Sequence, residues 1–386
     1  MGANTGVEYV KHSFSPWWGC SRVSPGCAHC FAEALAARWG NDLWHLHGPR
    51  RVVSEGQWRE PLKWNREAER DGMRARILCG TMCDVLEDHP DVGAARIRLF
   101  QLIEQTPWLL WFLFTKRPGN ANAMIPWGNS WPDNVGLVTS VENQDYADER
   151  VPLLLGTAAP VKGLSVEPML SPVGFSSLAC PWCAGTGRQP GQGGDTGVCG
   201  RCGGIGRGPG LLDWIIIGGE SGSKARPMHP QWASDLYRQC QGSVPVWFKQ
   251  WGSWGPAEWA PSRADGESCE DYKARATATA ATHSYPVTAH LNGHRPVPAG
   301  TKPWAAGHAV LAAGEAPIRR WGKGRAGHLL GGREVTELPS AAYLTPVGDA
   351  LPDDPRCLSP GRQRIGTVAW PVPQSQARRP LAIRAI

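Results

Sequence analysis

Short apolar runs recur along residues 76–252, and each run ends in polar or charged residues before a helical or loop segment follows. Continuous apolar runs that alternate with helices are typical of parallel strands in βα units, because both faces of such a sheet are covered. The repetition predicts an α/β domain built as a full or partial (β/α) TIM-like barrel, and an open doubly wound sheet is the alternative. The runs are Ile77–Leu78, Leu109–Phe114, Val135–Val138, Val161–Leu164, Trp214–Ile217 and Val244–Phe248.

The 386 residues divide by composition into a barrel-like domain and several additions. The domain is expected over residues 1–255, and the glycine- and cysteine-rich stretch 175–210 interrupts it as a zinc-knuckle insert. Residues 256–316 are expected to form a linker or weakly ordered extension, and residues 317–339 a basic helical segment. Residues 340–386, rich in proline and arginine, are expected to be a disordered tail.

Composition narrows the cellular setting of the chain. Its start lacks the apolar run of a signal peptide, and no stretch of about 18 apolar residues occurs, so a cytoplasmic protein without membrane contact is expected. Because the cytosol keeps thiols reduced, the 12 cysteines are expected to bind metal rather than to form disulfides. The net charge of +6 permits a nucleic-acid partner without requiring one, and the sequence leaves the oligomeric state open.

The strongest chemical signal is a group of three cysteines within eleven positions, Cys20, Cys27 and Cys30. Pro25 and Gly26 allow the tight backbone by which neighbouring thiolates converge on one metal centre. Structural zinc normally takes four protein ligands, and four-iron clusters usually take four cysteines. Three thiolates therefore predict a [4Fe–4S] cluster with one iron open to a ligand such as S-adenosylmethionine, which starts one-electron chemistry in radical enzymes.

A closed zinc site is the alternative for these three cysteines. It would need a fourth ligand, which His29 or a distant cysteine such as Cys83 could supply.

A second group consists of two Cys-x2-Cys pairs, Cys180 with Cys183 and Cys199 with Cys202. Each pair is followed by glycines that let backbone N–H groups turn toward the sulfurs, and four thiolates at this spacing predict a tetrahedral Zn²⁺. The pairs resemble the Cys-x2-Cys-x-Gly-x-Gly repeats of chaperone zinc fingers. A staple that orders a glycine-rich loop is the expected role, a nucleic-acid or partner-binding knuckle is the alternative, and a second iron–sulfur cluster is the alternative metal.

Polar residues follow the predicted strands at the end where a barrel carries its site. Carboxylates there could bind an amino group or ribose hydroxyls of an adenosyl cofactor, and cations could bind its carboxylate or a substrate phosphate; structural ion pairs are the alternative. The catalytic candidates are Cys83, Asp84, Lys116, Glu142, Glu167 and Lys249. The cofactor-binding candidates are Ser140, Ser165, Gly218, Gly219 and Glu220.

Eight short motifs carry a resemblance to a known family. They are Trp18-Gly-Cys20, Ser24-Pro-Gly-Cys27, Cys30-Phe-Ala-Glu33, Phe114-Thr-Lys-Arg-Pro118, Thr139-Ser-Val-Glu-Asn143, Leu164-Ser-Val-Glu-Pro168, Ile217-Gly-Gly-Glu-Ser-Gly222 and Phe248-Lys-Gln-Trp-Gly252. In these motifs the chain resembles a bacteriophage and prophage gene-product family filed as a domain of unknown function. The resemblance covers residues 8–255 and again 318–339.

That family in turn resembles radical SAM enzymes, whose three-cysteine loop lies at the top of a partial barrel. The resemblance implies an iron–sulfur enzyme that uses S-adenosylmethionine and an external electron donor, and the phage-like setting implies a nucleic acid or nucleotide as substrate. The chain departs from the usual pattern because six residues, rather than three, separate Cys20 from Cys27, and because Gly218-Gly219-Glu220 comes late.

Two other functions fit parts of the sequence. A non-catalytic, zinc-dependent nucleic-acid-binding phage protein would use both cysteine groups as structural sites. An ordinary barrel hydrolase would use Asp84, Glu142 or Glu167 and would leave the three-cysteine group without a role.

Overall fold

The computed structural model describes residues 7–175, 178–189, 197–200, 202, 204–256, 288–291, 295–298, 317–320, 329–330 and 333–339. The strands up to residue 250 are β1 (His12–Phe14), β2 (Trp17–Trp18), β3 (Arg51–Val52), β4 (Ala75–Cys79), β5 (Leu109–Thr115), β6 (Val135–Ser140), β7 (Val161–Val166), β8 (Trp214–Gly218) and β9 (Val246–Gln250). The helices are α1 (Phe31–Arg38), α2 (Glu55–Arg70), α3 (Gly93–Glu104), α4 (Ala121–Met124), α5 (Gln144–Leu155) and α6 (Pro230–Cys240).

Seven strands form one parallel sheet in the order β1-β4-β5-β6-β7-β8-β9, while β2 and β3 pair with each other. The order in space follows the order along the chain, as in a barrel, whereas a doubly wound sheet reverses direction at a switch point. The sheet curls into a half-barrel with β1 and β9 at its two edges. A partial barrel is therefore confirmed, and a complete TIM-like barrel is not formed by the described residues.

Side chains alternate between the two faces of the sheet, so each face has its own core. The inner face carries Phe112, Val138 and Ile216, which pack against Trp214 and Tyr9. The outer face packs against the helices through a larger apolar cluster that includes Ile77, Leu113, Leu137, Ile217, Trp58, Leu99 and Leu236. We call Tyr9, Phe112 and Trp214 the aromatic floor. It lies on the inner face and leaves the carboxyl ends of the strands as the open end of the half-barrel.

The predicted strands agree closely with the observed ones. The exception is Val244–Phe248, which becomes β9 two residues later. Val244 lies after the turn that follows α6, where its N–H group donates a hydrogen bond to the carbonyl oxygen of Cys240. No helix in the described part of the chain combines the length and apolar character that crossing a bilayer requires.

The basic helix predicted over residues 317–339 is wrong wherever the structure describes that segment. Strands β13 (Pro317–Arg320), β14 (Leu329–Leu330) and β15 (Arg333–Glu334) lie there instead. The segment starts at a proline and contains five glycines, which disfavour a helix. Val335 is buried, and its carbonyl oxygen accepts a hydrogen bond from the N–H group of Phe248, so the segment covers the edge strand β9.

The stretch predicted as a linker also contains strands. With β10 (Trp254–Pro256) and β13, the strands β11 (Thr288–Leu291) and β12 (Arg295–Pro298) form a four-stranded sheet in the order β10-β13-β11-β12. The rest of residues 256–316 and the tail predicted over residues 340–386 lie outside the described residues.

The aromatic floor gives a stability prediction. Trp214 is fully buried, lies 5.3 Å from the ring of Tyr9 and 5.2 Å from that of Phe112, and donates a hydrogen bond of 2.9 Å to the carbonyl oxygen of Glu337. Trp214→Ala should lower the free energy of unfolding by about 3–5 kcal/mol, because it leaves a cavity in the core on the inner face of the sheet. Trp39→Ala, at a position 73% exposed, should change it by less than about 0.5 kcal/mol. Urea unfolding measures both, and equal effects would contradict the assignment of the floor.

Candidate functional site

The first cysteine group lies on residues 20–30, which we call the cysteine loop, between β2 and α1. A 3-10 turn over Pro25–Cys27 folds its centre, and Cys30 is the N-terminal capping residue of α1. Contacts run from this loop to residues that follow β4, β6 and β8. The loop is therefore held at the carboxyl edge of the sheet, where the sequence pattern predicted the site.

Glu142, which follows β6, is the most deeply buried of these anchors. Its Oε1 accepts a hydrogen bond of 2.6 Å from Ser24 of the loop and lies 2.8 Å from Lys116 Nζ, and Arg150 Nη1 lies 3.2 Å from Oε2. A Cβ atom on Gly26 would lie 2.4 Å from Oε1, so only glycine fits there. Two cations compensate the charge of this carboxylate, and the hydrogen bond that it accepts from Ser24 holds the loop.

A second anchor follows β4. The N–H and Oγ groups of Ser21 each donate a hydrogen bond of 2.7 Å to Oε1 of Glu87, which also accepts from the buried Arg50. Arg117 pairs with Asp84 at 2.8 Å and donates to the carbonyl oxygen of Ser21 at the same distance. Burial raises the pKa of Glu87, but the Arg50 and Ser21 donors outweigh it and leave that pKa below its usual value, so this anchor is a carboxylate at neutral pH.

The third anchor follows β8. Glu220 is buried, and its Oε2 lies 3.1 Å from Nδ1 of His29 on the loop. Arg226 lies 2.6 Å from Oε1 of the same carboxylate and donates a hydrogen bond of 2.9 Å to the carbonyl oxygen of Pro25. Burial raises the pKa of Glu220, but the hydrogen bonds from Arg226 and His29 outweigh it and lower that pKa.

The thiol of Cys20 lies against a cation. Nη1 of Arg117 is 3.6 Å from its sulfur. Burial and the nearby Asp84 carboxylate raise the pKa of the Cys20 thiol to about 12, and Arg117 opposes that rise. A metal bound here would displace the proton of the Cys20 thiol, and the guanidinium of Arg117 would help to stabilise the resulting thiolate.

Cys30 has hydrogen-bond donors beside its sulfur. The backbone N–H groups of Ala32 and Glu33 donate to the sulfur of Cys30, although burial still raises the pKa of this thiol. Such donors stabilise thiolates and are typical of the surroundings of metal-bound sulfur. The hydroxyl of Ser24 lies 3.7 Å from the sulfur of Cys27, but it donates its proton to Glu142.

The cysteine loop has an apolar side as well. Cys20 and Cys30 pack against a small apolar cluster that lies outside the two cores of the sheet. Its buried members are Ala32, Ala36, Leu43, Trp44 and Met82. This wall limits the access of water to two of the three thiols.

The spacing of the three sulfurs bears on the kind of metal site. Among the described residues, they do not form a group, with or without His29 or Cys83, whose ligand atoms all lie within 4.8 Å of one another. A tetrahedral zinc with Zn–S bonds of ~2.3 Å draws its sulfurs to about 3.8 Å from one another. An iron–sulfur cluster binds each thiolate through a different iron and spreads the sulfurs more widely. In the described part of the chain the three sulfurs thus lack the close mutual spacing of a closed zinc site.

A polar wall lies on the inner face of the sheet, one step above the aromatic floor. By strand alternation Phe114, Ser140, Ser165, Gly218 and Lys249 point to the same face as the floor.

An ion pair completes this inner wall. Nζ of Lys249 lies 2.7 and 3.0 Å from the two carboxylate oxygens of Glu167. A Cβ atom on Gly218 would lie 3.0 Å from Glu167 Cδ, so the glycine makes room for the carboxylate. Burial lowers the pKa of Lys249, but Glu167 outweighs it and raises that pKa, so the lysine is charged.

The predicted site residues thus divide into two sets. Asp84, Lys116, Glu142 and Glu220 lie in the ion pairs that hold the cysteine loop, whereas Glu167, Lys249, Ser140, Ser165 and Gly218 belong to the inner wall. Cys83 is buried in the outer core. Gly219 allows the backbone of Trp251 to approach closely, because the carbonyl oxygen of Trp251 would lie 2.0 Å from a Cβ atom on residue 219. Catalytic and cofactor-binding roles for these residues remain predictions.

Sequence reasoning missed several residues that hold the loop. Arg50 and Arg150 do not follow a predicted strand, and Glu87 lies beyond the residues that directly follow β4, so the strand-end pattern did not point to them. Each is a charged residue that is buried in the folded chain, and this becomes visible only in the tertiary structure.

The four thiols of the second cysteine group lie close enough together to bind one metal ion. The sulfurs of Cys180, Cys183, Cys199 and Cys202 all lie within 4.8 Å of one another, and all four residues are buried. Burial raises the pKa of the Cys183 thiol, but the N–H group of Gly187, which donates to it at 3.3 Å, and the neighbouring thiols lower that pKa to about 7. The group therefore presents a thiolate near neutral pH.

We call residues 178–208 the metal knuckle. It lies between β7 and β8, and the described residues of that crossover include a 3-10 turn over Pro209–Leu211 but no α-helix. Its four cysteines belong to the outer core, together with Phe175 and Leu178. The knuckle therefore covers the part of the sheet that a crossover helix covers in an ordinary βα unit.

A family model described as "Protein of unknown function (DUF5131)" matches residues 4–339. The chain belongs to this family. The match includes the cysteine loop, all seven strands of the sheet and the metal knuckle. It names no activity, and the bacteriophage setting that the motifs suggested remains an expectation.

No curated protein shows significant similarity to the chain. Among solved structures, a mutant of spore photoproduct lyase aligns with a TM-score of 0.30 and 14% sequence identity. The alignment covers 41% of this chain and 46% of that one, so it spans less than half of either. A likeness at this level supports no conclusion about fold or function.

Gly26 tests the seat of the cysteine loop. Gly26→Ala should displace the loop, because the new Cβ atom would lie 2.4 Å from Oε1 of the buried Glu142. We expect a loss of about 1–3 kcal/mol in the free energy of unfolding and a lower capacity for iron on reconstitution. Gly93→Ala, where a Cβ atom meets nothing within 4 Å, should leave both unchanged or slightly raise stability. If both variants behave alike, Gly26 does not seat the loop.

Cys183 tests the metal knuckle. Cys183→Ser should release the metal bound by the four thiols and destabilise the fold, because the knuckle is part of the outer core. Metal content by mass spectrometry and the melting temperature measure the two effects. Cys240→Ala, which removes a buried thiol outside both cysteine groups, should retain the metal. Full metal content in Cys183→Ser would show that the four thiols are not the ligands.

Proposed function

We propose that this protein is a radical SAM-like iron–sulfur enzyme that acts on a nucleic acid or a nucleotide. The observation that carries the proposal is the cysteine loop: three partly exposed thiols lie on one segment that is anchored to the ends of three parallel strands. Cys20, Cys27 and Cys30 would hold a [4Fe–4S] cluster and leave one iron open to S-adenosylmethionine.

The surroundings of the loop suit a negatively charged cluster. Arg117 lies beside the sulfur of Cys20, and the charge of Lys116 stabilises the thiolate of Cys30. The apolar cluster on the other side limits water, and the anchors fix the loop before any cofactor binds. These residues would set the potential and position of the cluster rather than react themselves.

The chemistry comes from the bound group. A [4Fe–4S] cluster held by Cys20, Cys27 and Cys30 would supply, with S-adenosylmethionine and one electron from an external donor, the cleavage of a carbon–sulfur bond that releases methionine and, with a hydrogen atom taken from the substrate, yields 5′-deoxyadenosine. The inner wall would bind the polar part of the ligand through the hydroxyls of Ser140 and Ser165 and through the pair of Glu167 and Lys249.

The ion pairs of Asp84 and Glu142 disfavour the alternative of an ordinary barrel hydrolase. Asp84 is paired with Arg117, and Glu142 with Lys116 and Arg150, so both carboxylates are held in ion pairs rather than open to a reacting water.

For the metal knuckle we propose Zn²⁺. Four buried cysteines with sulfurs close together match the tetrahedral, all-thiolate site that zinc prefers in structural roles. Zinc there would order a glycine-rich segment whose packing completes the outer core.

The decisive measurement is anaerobic. Protein purified without oxygen and reconstituted should contain iron and acid-labile sulfide besides zinc, and should release 5′-deoxyadenosine after reduction in the presence of S-adenosylmethionine. Cys27→Ala should lose iron, sulfide and product to background while it keeps its zinc, because it removes a cluster ligand and leaves the knuckle intact. Cys240→Ala, at a buried thiol outside both sites, should retain all three.

Two outcomes would overturn the proposal. Zinc without iron in the reconstituted wild-type protein would favour a non-catalytic zinc protein. Release of 5′-deoxyadenosine by Cys27→Ala at the wild-type rate would show that the reaction does not use the cysteine loop.

A further inference from the structure

The metal knuckle contains an internal repeat that the proposed enzyme activity does not use. Cys180–Arg188 and Cys199–Arg207 share the pattern Cys-x2-Cys-x-Gly-x-Gly-Arg with the same spacing. The two halves also share geometry, since the N–H group of Gly187 donates to the sulfur of Cys183 at 3.3 Å and that of Gly206 donates to Cys202 at 3.3 Å. Each half therefore ends in an arginine at an equivalent position.

The surface of the knuckle differs sharply from its interior. The four sulfur ligands are buried, whereas Arg188 and Arg207 are exposed. Among the described residues of the knuckle these two arginines are the charged side chains, and there is no carboxylate. Arg207 lies across the backbone of Gly185, where its guanidinium carbon would be 2.7 Å from a Cβ atom. An approaching molecule meets cationic groups held on a rigid scaffold.

An aromatic ring stands on the same scaffold. Trp182 lies between Cys180 and Cys183 and is 47% exposed, although tryptophan is costly to leave in water. Its backbone is fixed by the two neighbouring metal ligands, so little conformational freedom is lost when a flat partner stacks on it. Val198 and Ile205 add exposed apolar contact area on the second half of the knuckle.

We propose that the metal knuckle is a binding site for single-stranded nucleic acid. Unpaired bases stack on exposed aromatic side chains whatever their sequence, and arginines contact the phosphates between them. Trp182 would supply the stacking platform, and Arg188 and Arg207 would contact the backbone. An apolar protein segment would use Val198 and Ile205 but would make no use of the two exposed guanidinium groups, so nucleic acid fits the whole surface better.

This binding site needs zinc but no iron–sulfur cluster. It can be measured in air on zinc-loaded protein, where the proposed radical activity is absent. A failure of nucleic-acid binding would leave the radical proposal standing, and a failure to form the cluster would leave this site standing.

The test is the affinity of the full-length zinc protein for a fluorescein-labelled oligothymidylate of about 20 nucleotides, which exceeds the ~4–16 nucleotides that one single-strand-binding module covers. Fluorescence anisotropy at several salt concentrations gives affinity and salt dependence. Trp182→Ala should weaken binding about tenfold or more, and Trp182→Phe should restore most of it, because phenylalanine keeps an aromatic face. Trp39→Ala, at a more exposed tryptophan outside the knuckle, should bind as the wild type does.

The arginines have a separate signature. The double variant Arg188→Gln with Arg207→Gln should reduce the slope of log affinity against log salt by about 1.4, since each single-strand phosphate contact contributes about 0.7. Arg38→Gln with Arg70→Gln, which removes the same charge from exposed positions of the helical layer, should leave the slope unchanged. Zinc content and the melting temperature confirm that each variant is folded.

The proposal is overturned if Trp182→Ala and the knuckle arginine variant both bind like the wild type. It is also overturned if the zinc-loaded wild-type protein does not bind the oligonucleotide. Equal loss from the knuckle and control arginine pairs would assign binding to net charge rather than to this surface.

Discussion

The buried carboxylate of Glu142 is the interaction on which the arrangement of the site depends. It has lost its water, so it needs strong partners, and it finds them in Lys116, Arg150 and the hydroxyl of Ser24. Two of these partners belong to the barrel, and the third belongs to the cysteine loop. The loop is therefore attached to the sheet by a group that cannot be exposed or left unpaired without a large cost in free energy, and Gly26 is the residue that lets the backbone come this close.

The other strand ends repeat the same principle with different residues. Glu87 and Glu220 each have a pKa below the usual value because arginines donate to them, and both also contact the loop. The charges at the open end of the half-barrel thus serve first to hold one segment. The pair of Glu167 and Lys249 is different, since it belongs to the inner wall, where a ligand would meet it. This separation of anchoring from ligand-facing charges is consistent with a fixed metal centre above a polar wall.

Much of this could be predicted from the sequence, and the failures have physical causes. Parallel strands buried on both faces leave long apolar runs, so β5 and β8 were evident, whereas β1 is too short to leave a periodic signal. Lys116 after β5 and the carboxylates Asp84 and Glu142 were recognised as site residues, but which charges pair could not be predicted, because pairing across the sheet depends on which strands become neighbours. The helix predicted after residue 317 was wrong because the prediction gave more weight to the basic residues than to the glycines, which favour short strands and turns.

The sequence by itself determined the two cysteine groups, the class of fold and the strand ends that would carry polar side chains, since ligand spacing and apolar periodicity are local properties of the chain. Only the tertiary structure decided how these parts work together. It brought Ser24 onto Glu142, separated the anchoring charges from the inner wall, and packed the second cysteine group against the outer core in the place of a crossover helix. Such pairings join residues that are far apart in the chain, and they exist because burying a charge or a thiolate requires a partner that only the folded sheet can provide.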